Sequence, residues 1–388
     1  MNFDTRIDRV NTQCAKWDLM EKLYQVSPSE GTAMWVADMD FQPPQQVLDA
    51  LDAMRQHGVF GYYGDDRNYR HAIADWMYRR HQWDLNPEHI FSTHGLVNAV
   101  ALCLQAFTKP GDGIILFTPV YHAFAKIINA SQRQLVSCEL ANNNGRYEMD
   151  FDAYEAQMTG NEKVMVLCSP HNPGGRVWSV AELEQAAEFA QRHDLLILSD
   201  DIHHDLTFGA KYTPMPVAVP EIRDRLVMLT AASKTFNLAA GHCGNVSISN
   251  PDLHKTFAAT IAANGISVNN FGIEITQAAY TFGDAWLTEL LKYLDENRKL
   301  FDQAITEIPA LSSMELEATY LAWVDFSKTG MSASEYQQRV QKQARIAANH
   351  GATFGQGGQN HLRFNFALPR AQLIEALARL KTAFADLQ

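Results

Sequence analysis

Two ionisable residues each end an apolar run. Asp200 follows Leu195-Leu196-Ile197-Leu198-Ser199, and Lys234 follows Leu226-Val227-Met228-Leu229-Thr230-Ala231-Ala232-Ser233. Runs of this kind read as buried strands, and open α/β sheets hold their ligands at the carboxyl ends of strands. A lysine at such an edge can form a Schiff base with an aldehyde. A buried aspartate can keep a pyridine nitrogen protonated. Together these are what pyridoxal phosphate needs from a protein. Most lysines are solvated surface groups, but Lys234 has mainly apolar residues before it and no amphipathic face in Thr235-Phe236-Asn237-Leu238 after it. Loss of solvation should lower its pKa and sharpen it as a nucleophile.

Other candidates cluster at similar positions. Asp200 opens Asp200-Asp201-Ile202-His203-His204-Asp205, which also suits a helix cap or an Asp/His metal site. Adjacent histidines point in different directions and no second ligand cluster is evident, so no metal is expected. Ser169-Pro170-His171-Asn172-Pro173-Gly174-Gly175 is a turn, and its Asn172 would sit at the same edge as Asp200 and Lys234. Tyr121, in Thr118-Pro119-Val120-Tyr121, is either core or a flat face for a ring to stack on. Gly95, in His94-Gly95-Leu96-Val97-Asn98, turns into a helix whose free N–H groups can hold an anion, although the segment is neither a Walker loop nor a dinucleotide fingerprint. In His361-Leu362-Arg363-Phe364-Asn365-Phe366, alternation sets Arg363 opposite the apolar residues. It either points outward or clamps a carboxylate.

The elements that must position these residues follow from hydrophobic period. Short apolar runs at 113–117, 164–168, 195–199, 226–229 and 245–248 read as strands, with helical spacing at 180–193 between two of them. Such alternation implies a mostly parallel sheet covered on both faces. After about residue 283 the pattern changes to a long helix at 285–308, strand-like runs at 320–326 and 362–366, and a helix at 370–384. The expected division is an N-terminal segment (1–45) joining a C-terminal small α+β domain (285–388), around a large domain (46–284).

The bulk composition narrows the partners. With 44 acidic against 32 basic residues, the net charge of −12 argues against nucleic acid or an anionic membrane. Five scattered cysteines, with no CxxC, suit reduced thiols in the cytoplasm better than a disulfide framework or zinc site. The polar start has no signal-peptide core, and no apolar stretch is long enough to span a bilayer.

Taken together, the motifs resemble fold-type I pyridoxal-phosphate enzymes, the aspartate-aminotransferase superfamily, and within it the MalY/PatB branch of cystathionine β-lyases. The matching runs are Ala37-Asp38-Met39-Asp40-Phe41, Gly58-Val59-Phe60-Gly61-Tyr62, Thr118-Pro119-Val120-Tyr121, Ser169-Pro170-His171-Asn172-Pro173, Ser199-Asp200-Asp201-Ile202-His203, Ser233-Lys234-Thr235-Phe236-Asn237, Thr319-Tyr320-Leu321-Ala322-Trp323 and Arg363-Phe364-Asn365. The resemblance implies a seven-stranded, mostly parallel sheet. It assigns Lys234 as the Schiff-base lysine and Asp200 as the partner of the pyridine nitrogen. Asn172 and His203 would lie near the phenolic oxygen, with Tyr121 stacked on the ring. Gly95, Leu96, Val97 and Ser233 would hold the phosphate, and Arg363 the substrate α-carboxylate. Tyr62 would reach the phosphate of a neighbouring subunit, which implies a homodimer with shared sites. Ala231 and His242 stand where many superfamily members have serine and arginine, so the phosphate lacks one hydroxyl and one permanent charge. The reaction implied is β-elimination from cystathionine or a related cysteine thioether, giving a thiol, pyruvate and ammonia. The alternative is an aminotransferase using the same residues.

Overall fold

The computed structural model describes residues 2–267 and 269–387. The expected apolar runs lie in a seven-stranded sheet. In chain order its strands are Ile90–Thr93 (β1), Gly113–Thr118 (β2), Gln134–Glu139 (β3), Glu162–Cys168 (β4), Leu196–Asp200 (β5), Leu226–Thr230 (β6) and Gly244–Ser247 (β7). Across the sheet the order is β1-β7-β6-β5-β4-β2-β3. Strand β7 is antiparallel to both neighbours, and the other pairings are parallel.

Burial on both faces explains why these strands read as unbroken apolar runs. Ile115, Phe117, Met165, Leu167 and Ile197 enter one core, while Ile114, Leu116, Val164, Val166 and Leu198 enter a second on the opposite face. Helix Leu96–Phe107 (α1) covers the second core with Ala99 and Val100. Ala123–Ala130 (α2) follows β2 and adds Phe124 and Ile128. On the first face, Val180–Arg192 (α3) contributes Leu183 and Ala187. It starts sharply because Ser179 and Glu182 form a reciprocal capping box.

The C-terminal third forms a separate antiparallel sheet. Its strands are Ser312–Ser313 (β8), Leu321–Asp325 (β9), Asn349–His350 (β10) and His361–Asn365 (β11), in the order β8-β9-β11-β10. The N-terminal chain joins this region through Thr32–Ala33, which pairs in parallel with Ile346–Ala347. Among the described residues no helix is long and apolar enough to cross a membrane.

Two sequence expectations change. Strands β1 and β3 were not among the runs read as strands. The run ending at Lys234 is two elements: β6 stops at Thr230, and Lys234 rides on the short helix Ala232–Thr235 (α4). Neighbouring strands offer β6 partners only as far as Leu229 and Thr230, so the chain turns there. Of the two readings of Arg363, the outward one fails, because every residue of β11 is buried.

Candidate active site

The loops leaving the carboxyl ends of β1, β2, β4, β5 and β6 enclose a cavity of about 720 Å³. Lys234, Asp200, Asn172, Tyr121, His203, Gly95, Leu96, Val97, Ser233 and Arg363 all line it. Ten of the eleven residues singled out in the sequence therefore meet in one place. The eleventh, Tyr62, is fully exposed, beside exposed Val59 and Phe60. Phe60 in turn packs on Phe271, with ring centroids 5.4 Å apart.

Lys234 has the lowered pKa expected of it. Burial brings the Lys234 amine down to about 8, while Asp38 pulls in the opposite direction. Its Nζ donates to the Ala37 carbonyl at 2.6 Å, which also accepts from the Tyr320 hydroxyl at 3.0 Å. Asp200, at the end of β5, is pushed up to about 7 by burial and by neighbouring Asp201. An unaccompanied carboxylate there is costly, and a cationic N–H beside it removes that cost.

Arg363 reaches across from the small sheet. Its Nη1 donates to Asn172 Oδ1 at 3.0 Å and its Nη2 to the Trp35 carbonyl at 2.8 Å. Burial lowers its pKa to about 10, so it remains cationic at neutral pH. Because Asn172 Oδ1 is occupied by Arg363, the amide presents its donor side elsewhere. His203 is buried, and that burial, together with the charges of Lys234 and Arg363, keeps it neutral. The buried His203 Nδ1 and Arg363 Nε have no hydrogen-bond partner among the described residues.

The anion corner is built from backbone. Gly95 caps α1 with φ +89°, a conformation that favours glycine. A Cβ on Gly95 would meet no heavy atom within 4 Å, so protein does not fill the space around it. Gly244 on β7 backs this corner closely, and a Cβ there would fall 2.9 Å from the Gly95 carbonyl carbon. The first amides of α1 have no acceptor within the helix, and Ser233 and His242 line the same cavity. An acid for a ring nitrogen, an amine for an aldehyde, unpaired donors and a helix start for a phosphate together fit pyridoxal phosphate.

Sequence reasoning missed the segment from Trp35 to Phe41. It lies in no helix or strand, yet distant side chains hold its backbone. Asn365 donates to the carbonyls of Val36 and Asp38, and Asn237 to those of Met39 and Phe41. Arg9 and Lys16 pair with Asp38 and Asp40, and despite burial they keep Asp38 below the usual carboxylate range. The motif Ala37-Asp38-Met39-Asp40-Phe41 was a signal for this strap, but its role depends on carbonyl groups that any sequence would carry.

The Asp/His run weighed above as a metal site gains a third member, His81, behind α4. His81, His204 and Asp205 bring possible metal-ligand atoms within 4.8 Å of one another. Asp205 already accepts from Trp76 Nε1 at 3.1 Å and Thr235 Oγ1 at 2.8 Å. His81 Nε2 and His204 Nε2 lie 2.8 and 3.1 Å from its oxygens. Hydrogen bonds from Trp76, Thr235 and His81, with His204 at ion-pair distance, occupy the carboxylate, which makes this a buried hub anchoring the residue next to Lys234.

Comparison with known proteins agrees with this geometry. The model of the family "Aminotransferase class I and II" matches residues 34–380. Cystathionine beta-lyase PatB of Bacillus subtilis is 36% identical over 99% of this chain and 100% of its own length. The structure of cystalysin from Treponema denticola, which contains a pyridoxal 5'-phosphate cofactor, superposes with a TM-score of 0.95 at 34% identity. It covers 100% of this chain and 99% of that one. A pyridoxal-phosphate-bound C-S lyase from Staphylococcus hominis superposes with a TM-score of 0.91 at 30% identity, covering 100% and 99% of the two chains.

Proposed function

The chain belongs to the class I and II aminotransferase family, and from that premise we infer that it is a pyridoxal-phosphate-dependent carbon–sulfur β-lyase. Its substrate is L-cystathionine or a related cysteine thioether, and its products are a thiol, pyruvate and ammonia. The observation that carries this reading is the convergence of Lys234, Asp200 and Arg363 on one cavity, in a chain whose full-length relatives include a cystathionine beta-lyase and a C-S lyase.

Pyridoxal phosphate, when bound, supplies an aldehyde carbon that takes up amines and a ring that accepts electrons from an amino acid's Cα. Lys234 would anchor it through its amine and would serve as the base that takes the substrate Cα proton. Asp200 holds the ring nitrogen in its protonated form. Asn172 and His203 would serve the phenolic oxygen, and Tyr121 would offer its flat face to the ring. The α1 amides at Gly95, Leu96 and Val97, together with Ser233, hold the phosphate. Arg363 grips the substrate α-carboxylate and so fixes the orientation of Cα. When Cβ carries sulfur, the electron pair left at Cα forms a Cα–Cβ double bond as the Cβ–S bond breaks and the thiolate leaves, and water then converts the released enamine to pyruvate and ammonia.

The same reading makes the protein a cytoplasmic homodimer in which Tyr62 of each copy completes the other's phosphate site. Exposed Val59, Phe60, Tyr62 and Phe271 supply the apolar surface that a second copy would cover. It assigns 46–284 to the cofactor-binding domain, and 1–45 with 285–388 to the small domain. Support comes from the pairing of Thr32–Ala33 with Ile346–Ala347. The test is to incubate cofactor-loaded protein with L-cystathionine and no keto acid. Repeated release of pyruvate and thiol in equal amounts is expected. Amino transfer that requires a keto acid, without thiol, would make it an aminotransferase.

A further inference from the structure

The cavity extends beyond the residues used so far. Its outer wall is α2, whose N-cap His122 directly follows Tyr121. His122, Ala125, Lys126 and Asn129 all line the cavity, and their spacing of three, four and seven residues places them on one helix face. The opposite face is anchored in the core by Phe124 and Ile128. The position of α2 is thus fixed while it presents a polar stripe to the cavity.

Charge bookkeeping singles out one residue of that stripe. Among the described residues, four formally charged side chains line the cavity: Asp200, Lys234, Arg363 and Lys126. The lyase reading uses the first three. Lys126 remains, and no acidic side chain other than Asp200 lines the cavity with it. His122 stands one turn before Lys126 and feels the positive charge of both Arg363 and Lys126. With burial the main cause, its pKa falls to about 4. Its Nδ1 is buried without a partner. A neutral imidazole and a nearby ammonium suit an anion that reaches beyond the catalytic residues.

We propose that this outer wall is a subsite for the leaving half of the substrate, with Lys126 as counter-ion and His122 as hydrogen-bond partner of a distal carboxylate. The enzyme then favours thioethers whose departing half carries a distal carboxylate, as in cystathionine, over S-alkyl cysteines of equal length. This rests on the lyase reading for its substrates but not for its binding test.

The holoenzyme and its Lys126→Gln and Lys126→Glu variants are assayed with L-cystathionine and S-butyl-L-cysteine. Binding of two uncleavable probes, L-2-aminosuberate and L-2-aminooctanoate, is measured by calorimetry. In Lys126→Gln, the ratio of kcat/KM for cystathionine to that for S-butylcysteine should fall about fivefold, the scale of a solvent-accessible ion pair. It should fall further in Lys126→Glu, and the preference for aminosuberate should shrink in parallel. An unchanged ratio, or equal losses on both substrates, would overturn the subsite. If neither thioether yields pyruvate, the lyase reading fails. The calorimetric preference then decides the subsite alone, and its survival in Lys126→Glu would sink the proposal.

Discussion

Arg363 and Asn172 share a hydrogen bond of 3.0 Å between strand β11 of the small sheet and the loop after β4. Through it, the residue assigned to the substrate carboxylate sets the orientation of the residue assigned to the cofactor's phenolic oxygen. Arg363→Lys keeps the charge but loses the planar fork that serves Asn172 and Trp35 together. The expected result is a loss of about 100-fold in kcat/KM. Steady-state kinetics should show the larger part in KM. A full-activity lysine variant would remove Arg363 from the site.

Capture of the cofactor should follow the titration of Lys234. Its folded-state pKa is lowered to about 8, and only the neutral amine attacks an aldehyde. The rate of cofactor uptake by the cofactor-free protein should therefore rise with pH through about 8 and level off above it. A lysine with its ordinary value of 10.5 would still be gaining at pH 9.5. Stopped-flow absorbance across this range distinguishes the two, and Lys234→Ala should show no covalent phase.

Asp200 links the cofactor to stability. Burial raises its folded-state pKa from 3.8 to about 7. Between those values the folded protein holds a proton that the unfolded chain has released, so stability falls as pH rises through this window. Asp200→Asn should make the cofactor-free protein more stable above pH 7, by on the order of 4 kcal/mol, and make little difference near pH 4. Loading with pyridoxal phosphate should reverse the order, because the protonated pyridine nitrogen then loses its counter-ion. Thermal melts at pH 5 and pH 8, with and without cofactor, test the sign.

The Asp205 hub makes a separate structural prediction. Asp205→Ala strands the buried donors of Trp76 and Thr235 and removes the partner of His81 and His204. The folded state should lose about 3–5 kcal/mol. Urea denaturation measures this directly, and a loss below 1 kcal/mol would mean that water replaces the carboxylate.

Shared sites can be tested by complementation. Lys234→Ala and Tyr62→Ala homodimers should each be nearly inactive. Random reassembly of equal amounts makes half the dimers mixed, each with one intact site, so about a quarter of wild-type activity should return. A monomer by sedimentation would exclude the arrangement.

What the sequence revealed depended on where the information lay. Strands β2, β4, β5 and β6 were legible because burial on both faces excludes polar residues. Strands β1 and β3 lie at the sheet edges and carry Ser92, Thr93, Gln134, Ser137 and Glu139, which break the apolar signal. At the site, Lys234, Asp200, Asn172 and Arg363 could be found because their side chains carry the chemistry. The strap from Trp35 to Phe41 could not be read in this way. Its holders, Asn237 and Asn365, lie roughly 200 and 330 residues away along the chain, and no local pattern connects them.

That strap also orders events during synthesis. Residues 35–41 leave the ribosome early, but the amide that spans Val36 and Asp38 belongs to Asn365. Nearly the whole chain must therefore be made before the wall beside Lys234 can close. Contacts this distant are slow to form. A nascent chain would have its central sheet in place well before it could retain cofactor, and cofactor capture would mark completion of the fold.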